Sequence, residues 1–423
     1  MLGLGVGYAL SCALSEAGYD VVGVDTNPEV VTAPRQDRSV RELLEISEHI
    51  AERIKLTTDL DAILDRDIVV ICVTTGDEKK LVLGHVENAM RTCLSKLRKS
   101  RRQATILVYS TLPFGSSRRI AGIFQQEKVE LDKNISYCYM PLMIAQGTTA
   151  QDFVNPPFIA FGSYSSTVAE RMRDFYLAFV RRSKLFNGRV PPNFVTSPEI
   201  AELSKLVANA FLSTKISFAN MIARFCETNN IDGSRILEIV GSDWRIGSTM
   251  LRPGYAFGGA CFPRDLESLI ETFQSASVRQ ELLQATGEEN RLRILDPVRA
   301  LAEVRARKVL ILGTAYKAGI TDERGSPTLE LAKCLRAKGY EVSTYDPNVD
   351  RDLRFASLIR SSQVIVVGTN EPLFSSLVDY IPNSGVKAVL DFSGATDAKD
   401  LPLHVGYFKA GSGWINKPLT ANS

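Results

Sequence analysis

A pattern that runs twice along this chain narrows its fold. Near the start, "GLGVGYALSCALSEAGYDVVGVD" reads as a glycine-rich turn, an apolar-periodic helix closed by Gly18, and a buried strand that ends in Asp25. After "RARK" the pattern restarts with strand "KVLILG" (308–313), a turn-rich loop, a helix from Pro327 and strand "EVSTYD" (341–346). Further buried strands are predicted at 67–75, 104–111 and 134–141 after the first unit, and at 363–369 and 387–392 after the second. Strands this apolar, spaced by helical stretches, belong to parallel sheets covered on both faces.

Between the two halves the character changes. "SPEIAELSKLVANAFLSTKISFANMIARFCE" offers Ser197 as N-cap and Pro198 as first helical residue, then a long run of helical apolar spacing. No strand signal follows until about residue 303. The expected fold class is therefore α/β: two Rossmann-like, doubly wound parallel-sheet domains joined by a central helical layer with one long helix. The expected boundaries are 1–196, 197–303 and 304–423.

The first glycine cluster suits close approach of a pyrophosphate to a helix N-terminus, and an acid some 20 positions on suits an adenosine ribose hydroxyl. Gly3, Gly5, Gly7 and Asp25 are thus the candidate cofactor residues. The spacing is one residue short of G-x-G-x-x-G. The sequence opens at the loop itself, so the first strand of the N-terminal domain is expected to be missing, by a late start or a real loss.

Bulk composition excludes several classes. A formal net charge of +2 gives no electrostatic reason to expect nucleic acid or an anionic membrane as partner. The seven cysteines are scattered without a C-x-x-C, and there are three histidines, which argues against zinc and against a disulfide framework. No apolar run is expected to span a bilayer, and the start does not read as a signal peptide. A cytoplasmic protein is the expectation.

"FGGACFPRD" (257–265) concentrates the chemistry. Gly258 and Gly259 keep side chains away, and Pro263 opens a helix whose Leu266, Leu269, Ile270 and Phe273 share one face. A cysteine at such a helix start feels the positive end of the dipole, which favours thiolate. Asp265 lies about one turn away, able to take a proton or hold a water. Cys261 is a nucleophile, a metal ligand or an inert buried thiol on this reading. Lys205 and Asn209, four apart within an apolar helical run, form a donor pair for an oxyanion, or else the lysine snorkels from the helix edge.

Taken together, "STLPFG" (110–115), "GTTAQDF" (147–153), "ELSKLVANAFLSTKISFAN" (202–220), "GSDWRIG" (241–247), "PGYAFGGACFPRD" (253–265) and "GTAYKAGITDERGSP" (313–327) resemble the UDP-glucose/GDP-mannose dehydrogenase family over nearly the whole chain. The resemblance implies a two-step, four-electron oxidation of a sugar C6 alcohol to a carboxylate with two NAD. It implies Cys261 as nucleophile, Lys205 and Asn209 as oxyanion donors, Asp265 as the group that handles a water or proton, and Thr111 near the reacting carbon. By the same resemblance Thr74, Thr111 and Arg264 join the cofactor residues. Lys205, Asn209, Arg245, Tyr255, Phe257, Gly258, Lys317 and Arg324 contact the nucleotide sugar, Arg245 doing so in a neighbouring subunit of a homodimer built on the central helices. For Arg324 an ion pair with Asp322 or Glu323 is an equal alternative.

The departures fall on functional positions. The family's loop glutamate, a candidate base for thioester hydrolysis, is Leu142, and its second acid is Gln146. The lysine of the family's F-P-K-D is Arg264, a loop glycine is Ala256, and "DFSG" stands where an arginine often follows Asp391. Three outcomes remain open: a UDP-glucose 6-dehydrogenase, a relative with another sugar or an arrested end point, and a non-catalytic nucleotide-sugar binder.

Overall fold

The structure is a computed structural model that describes residues 5–36, 54–76, 80–100, 102–350, 352 and 354–418. The chain clusters into two compact units, Met1–Ala208 and Asn209–Ser423, with the division falling inside the long helix Pro198–Asn229.

In the first unit, strands β3 (Ile68–Ile71), β4 (Ala104–Val108) and β5 (Ile135–Tyr139) run parallel. β6 (Ile159–Gly162) lies antiparallel to β5, and β7 (Asn193–Thr196) completes a five-stranded sheet in the order β3-β4-β5-β6-β7. β1 (Val22–Val24) and β2 (Lys55–Thr57) form a separate parallel pair. The expectation that the strand ahead of the glycine loop is missing concerns the start of the chain, where residues 1–4 lie outside the described residues. Helices Gly84–Leu97 and Ser116–Gln126 cover one face of the sheet through Val86, Met90, Leu94, Ile120 and Phe124, all in one buried cluster with Ile71, Ile106 and Tyr137. Helices Gly5–Glu16 and Ser166–Arg182 cover the other, where Leu10 and Leu14 join Leu107, Phe161 and Phe179. Residues of β4 alternate between these clusters, as the period of two along a strand requires.

The second unit holds a six-stranded sheet in the order β13-β12-β11-β10-β8-β9. β8 (Lys308–Leu312), β9 (Glu341–Tyr345), β10 (Val364–Val367), β11 (Ala388–Asp391) and β12 (Gly406–Lys409) are parallel, and β13 (Gly413–Asn416) turns back antiparallel. The reversal between β9 and β10 around β8 is that of a doubly wound sheet. Between Pro198 and Ala302 the chain is helical apart from loops, as the absence of strand signals predicts.

The predicted strands overrun the ladders by one to four residues. β3 ends at Ile71 rather than residue 75, so Thr74 leaves the sheet and stands exposed at its C-terminal edge. β4 likewise ends at Val108, which frees Thr111. Buried apolar residues past a strand end mimic strand in the sequence without sharing its hydrogen bonds.

The long helix also departs from the expectation about membranes. By length and composition Pro198–Asn229 is apolar enough to cross one, although 44% of its most apolar window is buried within the protein. Its Glu202, Arg224 and Glu227 are bonded to other side chains or backbone groups, as a core helix with polar anchors would have them.

Candidate active site

Of the residues expected to hold a dinucleotide, Gly5, Gly7, Asp25, Thr74 and Thr111 lie in the first unit, whereas Arg264 lies in the second and is paired with Asp265. Gly5 and Gly7 form the first turn of helix Gly5–Glu16, and Gly18 closes the segment with φ +87°. Asp25 follows β1 directly and caps the next turn by accepting the Asn27 N–H at 3.0 Å. Gly3 lies outside the described residues. Thr74 and Thr111 sit on neighbouring loops after β3 and β4, tied together where the Ser110 hydroxyl donates to the Val73 carbonyl at 2.6 Å.

The Thr111 loop is further fixed by Glu202, which the sequence reading did not single out. Its carboxylate accepts from the N–H of Gly115 at 2.7 Å, and from the N–H and hydroxyl of Ser117, each at 2.6 Å. Gly115, at φ +85°, is the cap of helix Ser116–Gln126, so this carboxylate serves the orphan donors of that helix start. A glutamate within an apolar helical run was the available signal. Side-chain-free first-turn glycines, an acid at the end of β1 and two loop threonines at the strand ends fit a dinucleotide.

The second unit carries the cysteine. Segment 253–261 has no regular structure, and its shape is held by polar side chains from two helices. Asn220, on the long helix, accepts the Gly254 N–H and donates to the Tyr255 carbonyl, each at 3.1 Å. Asn290, on helix Glu281–Ala302, brackets Phe257 at both its N–H (2.8 Å) and its carbonyl (2.9 Å). Arg293 donates to the Gly254 carbonyl at 2.7 Å. That guanidinium is fully buried, pairs with Glu227 and Asp296, and lies 4.9 Å from the centre of the Phe392 ring. Tyr255 is buried with its hydroxyl on the Ile294 carbonyl at 2.9 Å. None of Asn220, Asn290 and Arg293 was predicted; only partners far along the chain reveal their role.

At the end of this segment Cys261 caps helix Phe262–Ser275 and is exposed, which removes the reading of an inert buried thiol. Among the described residues no group of three or more His, Cys, Asp or Glu side chains is placed to hold a metal ion. Below the cysteine, Asp265 is fully buried. One of its oxygens accepts from the Asn209 amide at 2.6 Å and the other from Arg264 at 3.2 Å. Asn209 is thus joined to Asp265 rather than standing alone as an oxyanion donor. Arg264 pairs with Asp265 and is the first turn's buried cation. Lys205 is buried one turn before Asn209 on the same helix, in the first unit.

Phe257 and Gly258 lead into a close backbone crossing. A Cβ on Gly258 would stand 2.4 Å from the Gly325 carbonyl, so the loop between β8 and helix Pro327–Ala337 leaves no room for a side chain there. Lys317 is exposed on that loop. Arg324 forms the ion pair with Asp322 at 2.6 Å, and the guanidinium holds that carboxyl below its ordinary range. Arg245 pairs with Asp243 at 2.6 Å in the same local manner and holds its carboxyl down too.

The departures also find their places. Leu142, after β5, is buried against Phe153, Val154 and Ile159 rather than standing in solvent, and Gln146 further along the loop is exposed. Ala256 packs on the cluster of the second sheet. In "DFSG", Asp391 is fully buried and accepts from the N–H groups of Ser393, Gly394 and Thr396, each at 2.8 Å, so the loop is tied off without an arginine.

Comparison with known proteins gives three matches in chain order. Residues 1–180 match the NAD binding domain of the UDP-glucose/GDP-mannose dehydrogenase family, residues 199–292 its central domain and residues 310–397 its UDP binding domain. A UDP-glucose 6-dehydrogenase of Haloferax volcanii is 28% identical over 91% of this chain and 94% of its own length. One from Bacillus subtilis is 30% identical over 81% of this chain and 74% of its own. The solved structure of a UDP-D-ManNAc dehydrogenase from Pyrococcus horikoshii superposes with a TM-score of 0.84, at 23% identity, over 97% of this chain and 98% of its own, which speaks to the fold. With these matches along its length, the chain belongs to the UDP-glucose/GDP-mannose dehydrogenase family, the NAD-dependent nucleotide-sugar 6-dehydrogenases.

Proposed function

We propose that this protein oxidises C6 of UDP-glucose to UDP-glucuronate through a covalent intermediate on Cys261. The observation that carries the reading is an exposed thiol at a helix start, directly above a buried carboxylate shared between Asn209 and Arg264. NAD, held by Gly5, Gly7, Asp25, Thr74 and Thr111, supplies a two-electron acceptor for each oxidation. With the alcohol converted to an aldehyde, the Cys261 thiolate adds to the carbonyl carbon and the carbonyl electrons move to oxygen. Lys205 and Asn209 donate to that oxygen. The second oxidation leaves a thioester, and water displaces the sulfur as thiol, adding one oxygen to give the carboxylate. Asp265 holds that water or accepts its proton. Each sugar thus yields two NADH.

On the second unit, Tyr255, Phe257 and Gly258 line the sugar side, with Lys317 and Arg324 on the phosphates. Arg324 must exchange its pairing with Asp322 for a phosphate, a swap between two anions. In the homodimer we infer, Arg245 serves the neighbouring subunit's substrate. The three domains of this reading are the spans 1–196, 197–303 and 304–423. Seven thiols without a disulfide suit a reducing cytoplasm.

The burial of Leu142 favours a second reading in which hydrolysis is slow and the acyl-enzyme accumulates, since an apolar side chain cannot activate water. Counting NADH against sugar consumed decides. Two NADH per sugar with sustained turnover supports the full route; one or two per enzyme followed by silence supports the arrested one. No NADH with UDP-glucose, and none with GDP-mannose, would overturn both.

A further inference from the structure

The strand order of the second sheet reverses at β8, between β9 and β10, and open α/β sheets take their ligands outside the strand ends at such a point. Two buried carboxylates stand at those ends: Asp346 directly after β9 and Glu371 shortly after β10. Both are spent on the loop that leaves β8. One oxygen of Asp346 accepts the Ala315 N–H at 3.0 Å, and one oxygen of Glu371 accepts the Gly319 N–H at 2.6 Å. Asn348 joins the two acids, its N–H donating to the other Asp346 oxygen at 3.0 Å and its side-chain amide to Glu371 at 2.7 Å. Lys317, exposed, lies midway between the two held amides. In the first unit the acid at the matching place in the repeated pattern, Asp25, is only partly buried. Asp346 instead faces inward and serves its own loop. Two like charges buried near one another oppose folding, so their presence points to a use beyond packing.

We propose that Glu371 is a positioning residue for Lys317: it holds the far end of a loop whose near end Asp346 holds, and so keeps the lysine on the phosphates of the nucleotide sugar. The role of Lys317 on the phosphates rests on the reading above; the bonds to its loop do not. A cation on a loose loop must be ordered when its anion binds, and a backbone fixed beforehand removes part of that cost. The loop carries no group assigned to the chemical steps, so Glu371 bears on affinity for the nucleotide and not on the rate of oxidation.

The test is calorimetric titration with UDP alone of the wild type, Glu371→Ala, Glu371→Gln, Lys317→Ala and the double variant that combines Glu371→Ala with Lys317→Ala. Glu371→Ala should weaken binding about tenfold, the scale of a lost hydrogen bond to a charged group. KM for the nucleotide sugar should rise in step, with kcat changed less than about twofold. Glu371→Gln keeps an oxygen for the Gly319 N–H and should bind within about twofold of the wild type. In the Lys317→Ala background Glu371→Ala should add less than about twofold, because a residue that acts through Lys317 has nothing left to position. Wild-type affinity in Glu371→Ala, or a full further loss in the double variant, overturns the proposal. Should Glu371→Ala fail to fold, Asn348→Ala removes one bond to Glu371 at a part-exposed position, and it must show the same coupling to Lys317 or the proposal falls. If the wild type binds no UDP, or Lys317→Ala binds it as the wild type does, the phosphate reading fails and the proposal with it. A loss confined to Lys317→Ala strikes out Glu371 and leaves that reading standing.

Discussion

The side-chain amide of Asn209 lies 2.6 Å from Asp265 Oδ2, joining the long helix to the helix that Cys261 caps. The bond spends one carboxylate oxygen on a neutral donor and leaves the other to Arg264, so the buried charge has two fixed partners. Such an aspartate is held in place before substrate arrives. This is the arrangement a group needs if it must meet a water or a proton without reorganising.

Asp265→Asn should therefore separate chemistry from binding. We expect kcat to fall by about 10²- to 10⁴-fold, the range for loss of a proton-handling group. KM for the nucleotide sugar should change little. Arg264 would be left buried without its anion, so the urea midpoint should also fall, by the equivalent of about 3 kcal/mol. Steady-state NADH formation and urea unfolding check the two arms; wild-type kcat in a destabilised variant would make Asp265 a purely structural residue.

Leu142→Glu probes the clearest departure from the family pattern. Leu142 packs with Phe153, Val154 and Ile159, and Tyr176 lines the same apolar hollow. A glutamate in that orientation would meet no cation and would hold its proton, its pKa raised by burial. We expect a stability loss of about 3 kcal/mol and no gain in uronate release. Quenched-flow mass spectrometry of the acyl-enzyme measures the release directly. Faster release would mean that the loop turns residue 142 toward the thioester, and the present packing would not be the reacting state.

Much of this architecture was legible in the sequence because buried parallel strands are nearly continuous apolar runs. β3, β4, β5, β8, β10 and β11 all fall inside predicted stretches. β2 and β7 did not stand out, since Lys55–Thr57 and Asn193–Thr196 are short and lack buried residues. Candidate residues for the site could be named from the sequence, but their pairings could not. Nothing in the sequence says that Asn209 meets Asp265, 56 positions away, or that Asn220 and Asn290 grip one loop from two helices. Those bonds depend on how helices cross. Arg324 could be read either way in sequence, and in the structure it pairs with Asp322.

Phe211, Phe218 and Phe225 recur every seventh residue along the long helix, with exposures of 64%, 47% and 64%. Seven residues are nearly two turns, so the three rings form one apolar stripe. Trp244, 89% exposed, and Leu282, 69% exposed, add to the apolar surface of the helical region. An exposed apolar stripe of this kind suits the homodimer proposed above. Sedimentation should find the wild type dimeric and Phe218→Asp monomeric at the same concentration. A monomeric wild type would remove the dimer, and with it the role of Arg245 across subunits.

Glu202 gives a pH signature that belongs to the first unit. Burial raises its carboxyl above the ordinary value of 4.5, against the opposing hydrogen bonds from Ser117 and Gly115. With the folded value above the unfolded one, the folded state binds the proton more tightly. Its contribution to stability is then full below 4.5 and lost as pH rises through the folded value. Glu202→Gln cannot titrate. Its amide nitrogen would face one of the N–H donors now served by a carboxylate oxygen, a penalty of about 1–3 kcal/mol at every pH. The wild type should accordingly be the more stable protein in acid, with its advantage shrinking as pH climbs through the carboxylate range. Urea unfolding of both proteins along a pH series reads the difference. If that difference stays flat, the hydrogen bonds from Ser117 and Gly115 outweigh burial, and Glu202 is an ionised cap whose charge the helix start fully supports.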